Sequence, residues 1–345
     1  MRNLLDLLKR FHTHPTDVVG VDVGASGTKV VRLKKTKQGI TLVAADLLPV
    51  VSMPEPGEPG ADTAPSPLAL PKPLKARYAS MGASGQGAVL KLLSVPTQSE
   101  KAGELQVNEL LGLADGANYR VAYEVISEGH ARAESRLLAV ALPENRAQSL
   151  CGLFPAGTPA PCAIELSGLA MLHSFFRGPG QQNGDECVAV LDFGASSSVL
   201  AILSKGGLVL IRKFDVGSDA ILAKVEESLG VDRETAQGIL SDGSFDVSQL
   251  VRESIAVFSQ QVIISRDFVE RRENCRIRKF YVCGGVTGAR DWQNELHAAV
   301  GVPPEPWNPF AGLQVLAESF PERLAGAESR FPAAVGVALA AIEEA

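Results

Sequence analysis

A short segment of the form Asp-x-Gly-Ala-Ser occurs twice in this chain, each time at the end of an apolar run and before a second one. The first copy lies in VVGVDVGASGTKVVRL (Val18 to Leu33) and the second in VAVLDFGASSSVLAIL (Val188 to Leu203). Asp22 and Asp192 are 170 residues apart (192 − 22), half of the 345-residue chain. Aligning them places Gly24, Ala25 and Ser26 on Gly194, Ala195 and Ser196. Self-similarity at half the chain length predicts two related lobes facing one another. Each copy reads as strand, tight turn, strand, with acid and glycine at the turn.

Such a turn is suited to phosphate. Gly24, Gly27 and Gly194 let the main chain approach a ligand without a Cβ in the way. Successive N–H groups of a tight turn form an anion-binding concavity. Ser26, Thr28, Ser196, Ser197 and Ser198 add hydroxyl donors, and Lys29 supplies a point charge for a phosphate. Asp22 and Asp192, at strand ends, suit hydrated Mg²⁺, which prefers carboxylates, water and phosphate oxygens. A single Asp-Gly turn joins ordinary hairpins; two at this spacing point to a nucleotide clasp. A third element, KFYVCGGVTGARDWQNEL (Lys279 to Leu296), reads as strand, glycine turn and helix. Gly284, Gly285 and Gly288 mark the junction, where helix-terminal N–H groups are free for a ligand.

In this order, the three elements resemble the superfamily of actin, hexokinase and DnaK-type ATPases. Further segments are similar to the PilM-type proteins of type IV pilus assembly, relatives of FtsA. They are RYASMGASGQGAVLKLLSVPT (Arg77 to Thr97), SRLLAVALPENRAQSLCGLF (Ser135 to Phe154), FDVGSDAILAKVEESLGVDRETAQ (Phe214 to Gln237) and the NPF-containing GVPPEPWNPFAGL (Gly301 to Leu313). The resemblance implies an α/β, two-lobed actin-like fold of duplicated ribonuclease-H-like domains, with a small α+β subdomain inserted in the first lobe. It places an N-terminal extension at 1–16, the first lobe at 17–186 with the insertion at 88–158, and the second lobe at 187–328. The upper part of the second lobe would be 218–275, and a C-terminal helix at 329–345 would return to the first lobe.

The resemblance also implies ATP and Mg²⁺, bound by Asp22 to Lys29 and Asp192 to Ser198, with Gly284 to Gly288 on the adenosine and Gly217 near the cleft. The implied role is a cytoplasmic ATP-binding scaffold on the inner face of the inner membrane. Its inserted subdomain would hold the cytoplasmic tail of a PilN-like assembly protein of a pilus or secretion machine. Two departures bear on chemistry. Where the family has an acidic D-x-E pair before the interlobe helix, this chain has Glu165 and Ser167. Glu165 is left as the catalytic candidate, without the second acid that would help position water. Beside the adenine, "AEELK" is replaced by Ala236 to Leu240 (AQGIL). A degenerate, non-hydrolysing adaptor is therefore one alternative reading. A small-molecule kinase is another, but between Tyr78 and Ser167 only Asp115 offers the catalytic aspartate it needs.

Composition narrows the classes further. The net charge of −6 gives no electrostatic footprint for nucleic acid. Cys151, Cys162, Cys187, Cys275 and Cys283 form no C-x-x-C pair and read as reduced thiols, not a disulfide frame or zinc site. The five histidines have no ligand spacing, and no G-x-x-x-x-G-K-[ST] loop occurs. The longest apolar stretch, Ala333 to Ile342, is too short to cross a bilayer. Met1 to Phe11 is interrupted by Asp6 and Lys9 and is not expected to be a secretory signal. Arg2 to Phe11 reads as a short amphipathic helix, a domain cap or a weak membrane-surface contact. Pro49 to Pro73 reads as a solvated, polyproline-like excursion. A long helix is expected over Val247 to Arg271, with Leu250, Ile255, Val257, Phe258, Val262 and Phe268 as its buried stripe.

Overall fold

The computed structural model describes residues 15–53, 65–84, 87–96, 103–113, 118–127 and 134–343. The strands are β1 (Asp17–Gly24), β2 (Gly27–Thr36), β3 (Gly39–Leu48), β4 (Tyr78–Ala83), β5 (Val89–Pro96), β6 (Tyr119–Ser127) and β7 (Glu134–Pro143). They continue with β8 (Ala160–Leu166), β9 (Cys187–Phe193), β10 (Ser198–Ser204), β11 (Gly207–Phe214), β12 (Ile277–Gly284), β13 (Pro304–Pro306) and β14 (Gln314–Val315). Helices α1 (Gly103–Leu111), α2 (Glu144–Gly152) and α3 (Ser167–Arg177) lie in the first half of the chain. In the second half are α4 (Ser218–Leu229), α5 (Arg233–Asp242), α6 (Ser248–Glu273), α7 (Arg290–Val300) and α8 (Pro332–Glu343).

The chain divides into two compact units. The first comprises Met1–Ala83, Gln148–Pro179 and Asn308–Ala345; the second comprises Ser84–Ala147 and Gly180–Trp307. The first unit holds a six-stranded sheet in the order β14-β3-β2-β1-β4-β8. The second holds a five-stranded sheet, β11-β10-β9-β12-β13, and a three-stranded one, β5-β7-β6. In both larger sheets a three-strand antiparallel meander is followed by parallel strands on its first member. The sequence repeat is thus a repeat of topology, with β1 equivalent to β9 and β4 to β12.

Strand β1 is paired on both sides, so every residue from Val18 to Val23 is buried. Its alternation assigns Val18, Gly20 and Asp22 to one face. Helix α8 lies on that face. A Cβ on Gly20 would collide with the Ala334 carbonyl, so only glycine lets α8 approach this closely. Gly336 does the same for α8 against α3, since a Cβ there would overlap the Ala170 carbonyl. The small-residue run Pro332–Ile342 is buried on nearly every position because sheet and helix close on it from two sides. In the second unit the core lies between the five-stranded sheet and α4 to α7, with Phe193, Phe258 and Trp292 at its centre.

Three details differ from the sequence reading. The inserted segment Ser84–Ala147 packs with the second sheet rather than the first, tied by the Arg136–Glu273 ion pair at 2.7 Å. Residues 308–328, expected in the second lobe, pack with the first sheet alongside the C-terminal helix, because Phe310 and Phe320 cluster with Phe331 in that core. The buried stripe of α6 is Val251, Ile255, Phe258, Ser259, Val262, Ser265 and Val269. Val257 is 77% exposed and Phe268 49%, because each lies one residue from a core position and is turned about 100° away. Within the proline-rich excursion, Leu70 is buried and the Leu68 N–H donates to the Leu153 carbonyl. Residues 54–64 of that excursion, and the amphipathic stretch 2–11, lie outside the described residues.

Two glycine substitutions should separate close approach from mere flexibility. Gly336→Ala is expected to destabilise the protein by about 1–3 kcal/mol through overpacking. Gly238→Ala, within α5 and with open space at its Cβ, should stabilise it by about 0.5–1 kcal/mol. Urea unfolding of both variants measures the difference.

Candidate functional site

In the first unit, the Asp-x-Gly-Ala-Ser turn closes the β1–β2 hairpin, and its pairing aligns a row of side chains across four strands. Asp22 is opposite Lys29 on β2 and beside Gly82 on β4, and Gly82 is beside Glu165 on β8. Paired residues share a face, so Lys29, Asp22 and Glu165 project to one side with a glycine between the two acids. Gly82 matters for this. A Cβ there would come within 3.1 Å of Asp22 Oδ1 and 3.0 Å of Ser167 Oγ. Glycine leaves that space to the two oxygens.

The surrounding contacts are specific. The Ser167 hydroxyl, at the first residue of α3, donates to Asp22 Oδ1 at 2.7 Å. The residue at this position gives Asp22 a neutral donor. Glu165 Oε1 pairs with His173 Nε2 at 3.0 Å. Lys29 bends back over the turn and donates to Ser26 Oγ at 3.4 Å, while Arg330 Nη2 donates to the Ser26 carbonyl at 3.0 Å. Burial lowers the Arg330 pKa. The Thr28 hydroxyl is sealed from solvent and has no partner among the described residues, whereas Ala25 and Ser26 are exposed at the tip.

In the second unit the equivalent turn spans Gly194 to Ser197, closed by Gly194 N–H on the Ser197 carbonyl at 3.1 Å. It is clamped by the start of α4. The N–H groups of Ser218 and Asp219 donate to the carbonyls of Gly194 and Ala195, each at 2.9 Å. Gly217 makes this possible, because a Cβ would overlap both carbonyls. Those two helix-terminal donors are thus engaged by the turn, which leaves the tip at Ser196 exposed. The equivalent row reads Lys213, Val199, Asp192, Cys283. The Cys283 thiol lies 3.6 Å from Asp192 Oδ1. Cys283 is buried strand packing that faces the acid, in the place that Gly82 holds in the first sheet.

The glycine turn after β12 is built around Gly284, which adopts φ +124° and sits where a Cβ would strike the Phe193 carbonyl. Gly285 and Gly288 are exposed, and no side chain stands over Gly288 within 4 Å of its Cβ position. The structure therefore gathers Asp22, Gly24, Ser26 and Lys29 with Glu165 in one unit. It gathers Asp192, Gly194 to Ser197, Gly217 and Gly284 to Gly288 in the other. Gly82 and Arg330 were missed by the sequence reading. Gly82 lay inside a quoted strand, and only the register reveals what it faces; Arg330 has no local sequence mark at all. Among the described residues, no group of three or more His, Cys, Asp or Glu is arranged to hold a metal.

The profile of the type IV pilus assembly protein PilM family matches residues 170–342. Among solved structures, a PilM-PilN type IV pilus biogenesis complex superposes with TM-score 0.76 at 18% identity, covering 94% of this chain and 98% of that one. At that identity the likeness establishes the fold, a two-lobed actin-like ATPase fold. Ethanolamine utilization protein EutJ from Carboxydothermus hydrogenoformans superposes with TM-score 0.47 at 15% identity, covering 95% and 90%. No curated protein sequence matches the chain significantly.

The Ser167 contact generates a prediction. Ser167→Ala leaves the buried Asp22 carboxylate short of a donor and should cost about 1–3 kcal/mol of stability. Ser167→Asp sets two carboxylates together, which cannot both remain ionised cheaply. Its destabilisation should be largest at neutral pH and shrink as acid protonates one of the pair. Urea unfolding at several pH values checks both the size and the sign.

Proposed function

Because the chain belongs to the type IV pilus assembly protein PilM family, we propose that it is an actin-like scaffold of a type IV pilus or related secretion machine that binds Mg-ATP. The observation that carries this reading is the recurrence of the acidic glycine turn at the same place in two sheets that share a five-strand pattern. Mg-ATP is the ligand proposed for both turns. Around Asp22 the donor set fits the group in its chemistry: a buried carboxylate with a lysine and a second carboxylate, Glu165, on the same face. Bound Mg²⁺ would supply charge neutralisation for the phosphates. The exposed main chain at Ala25–Ser26 and Ser196 would donate to phosphate oxygens, and the open Gly285–Gly288 turn would accommodate the nucleoside.

The chain's own residues favour binding over turnover. Glu165, the candidate for orienting water, is paired with His173, and Ser167 offers Asp22 a proton where an acid would polarise water. This supports an adaptor whose nucleotide is structural or slowly hydrolysed. The kinase alternative has no support, and Asp115 lies outside the described residues.

The partner is proposed by analogy with the PilM-PilN complex: the cytoplasmic tail of a PilN-like inner-membrane protein, docked on the inserted segment within 88–158. The location that follows is the cytoplasmic face of the inner membrane, reached through that partner. No helix among the described residues is long and apolar enough to cross a membrane.

Calorimetric titration of the full chain with Mg-ATP tests the nucleotide. Wild type should bind, and Asp22→Asn and Asp192→Asn should each weaken binding on the order of tenfold to a hundredfold, as loss of a metal-holding group does. Absence of binding in the wild type, or equal binding by both variants, rejects it. Fluorescence anisotropy with a labelled PilN-like tail peptide tests the partner; a tail that binds neither with nor without Mg-ATP rules that role out.

A further inference from the structure

Arg330 brings a positive charge to the first turn, and no carboxylate among the described residues pairs with it. The residue closes a single turn of 3-10 helix, Glu328–Arg330, just ahead of α8. Its backbone is held on both sides. The Arg330 N–H donates to the Ala327 carbonyl at 3.0 Å, and the next residue, Phe331, is fully buried against Phe310 and Phe320. From that fixed base the side chain reaches the tip of the β1–β2 hairpin, where Nη2 donates to the Ser26 carbonyl at 3.0 Å. All of these residues belong to the first unit.

The contrast with Arg32, a second half-buried arginine of the same unit, is instructive. Asp17 takes both Nε and Nη2 of Arg32, at 2.8 and 2.7 Å. That pairing raises the Arg32 pKa, whereas burial alone lowers that of Arg330. The Arg330 Nε is also sealed from solvent with no partner among the described residues. A carbonyl can accept one N–H but cannot neutralise the charge, so a half-buried cation held in this way costs stability. An anion would remove that cost, and the adjoining main chain is suited to one. Ala25 and Ser26 are exposed at the tip, and Lys29 Nζ lies 3.4 Å from Ser26 Oγ. Two cations therefore meet at one residue of an open turn, Lys29 at its hydroxyl and Arg330 at its carbonyl.

We propose that Arg330 binds the phosphate chain of the ligand at the first turn, together with Lys29. Nη1 and the second hydrogen of Nη2 remain for phosphate oxygens while the Ser26 carbonyl keeps its donor. The inference rests on the Mg-ATP reading for the nucleoside alone, because any linear polyphosphate presents the same oxygens. It also ties the ligand to α8. That helix is locked against β1 at Gly20 and against α3 at Gly336, so a phosphate held by Arg330 is held from a rigid support.

Two measurements on the full chain test this. The first needs no ligand. Arg330→Gln keeps an N–H donor for the Ser26 carbonyl and removes the uncompensated charge, so its urea midpoint should equal or exceed that of wild type. A lower midpoint would make Arg330 a brace for the turn and would overturn the proposal. The second is calorimetric titration with Mg-ATP and, separately, with magnesium tripolyphosphate. Arg330→Gln should weaken whichever of the two wild type binds by roughly tenfold to a hundredfold, the scale of a charged hydrogen bond. Arg330→Lys should recover part of the loss, since it restores the charge without the planar fork. Equal affinity of wild type and Arg330→Gln rejects the role of Arg330 and leaves the nucleotide reading standing. A wild type that takes tripolyphosphate but not Mg-ATP, with the loss in Arg330→Gln, rejects the nucleotide and keeps the phosphate site. A wild type that binds neither rejects both.

Discussion

Everything near the first turn depends on the register of one strand. β1 is hydrogen bonded on both sides and packed on both faces, so it tolerates polar side chains only where it leaves the sheet. The alternation that puts Val18 and Gly20 under α8 also puts Asp22 on that face, at the first residue of α3. A slip of one residue would turn Asp22 to the opposite side and push a valine into Ser167. What prevents the slip is Gly20, since α8 can rest only where no Cβ intervenes. The position of this acid is therefore fixed two residues away by a packing glycine.

The same logic recurs wherever main chain meets main chain. Gly217 brings α4 down onto the second turn, and Gly284 brings the last glycine turn onto the end of β9. Each close approach makes one loop dependent on another. The turn at Gly194 is held by the carbonyl bonds from Ser218 and Asp219, so its shape belongs to α4 as much as to its own hairpin. Loops anchored in this way lose little conformational freedom when a ligand arrives, which is what a preformed anion site requires.

Much of this frame could be read from the chain alone, for a physical reason. Fully buried strands are nearly unbroken apolar runs, so an Asp-x-Gly at the end of one stands out, and duplication doubles the mark. The contacts that give the turn its chemistry were hidden, because they join residues far apart. Ser167 and Asp22 are separated by 145 positions, and Arg330 reaches Ser26 across 304. Helical periodicity misled at Val257 and Phe268 because apolar residues adjacent to a core stripe look the same in sequence as those within it. The membership of Ser84–Ala147 was hidden too. Its order in the chain places it between β4 and β8, and only the packing of β5 and β7 beside β11 and α6 attaches it to the second unit.

The two sheets are equal as scaffolds and unequal as chemistry. In corresponding rows, Lys29 is replaced by Val199 and Gly82 by Cys283. The first row carries Lys29 directly beside Asp22 and a glycine between two acids. The second carries Val199 beside Asp192, with Lys213 one strand further out and a buried thiol in the glycine's place. Asp22 therefore has a lysine and a second acid in its row, whereas Asp192 stands between Val199 and Cys283. Duplication supplied one topology twice. The two positions beside each aspartate thus differ in charge and size, while the five-strand pairing pattern around them is the same.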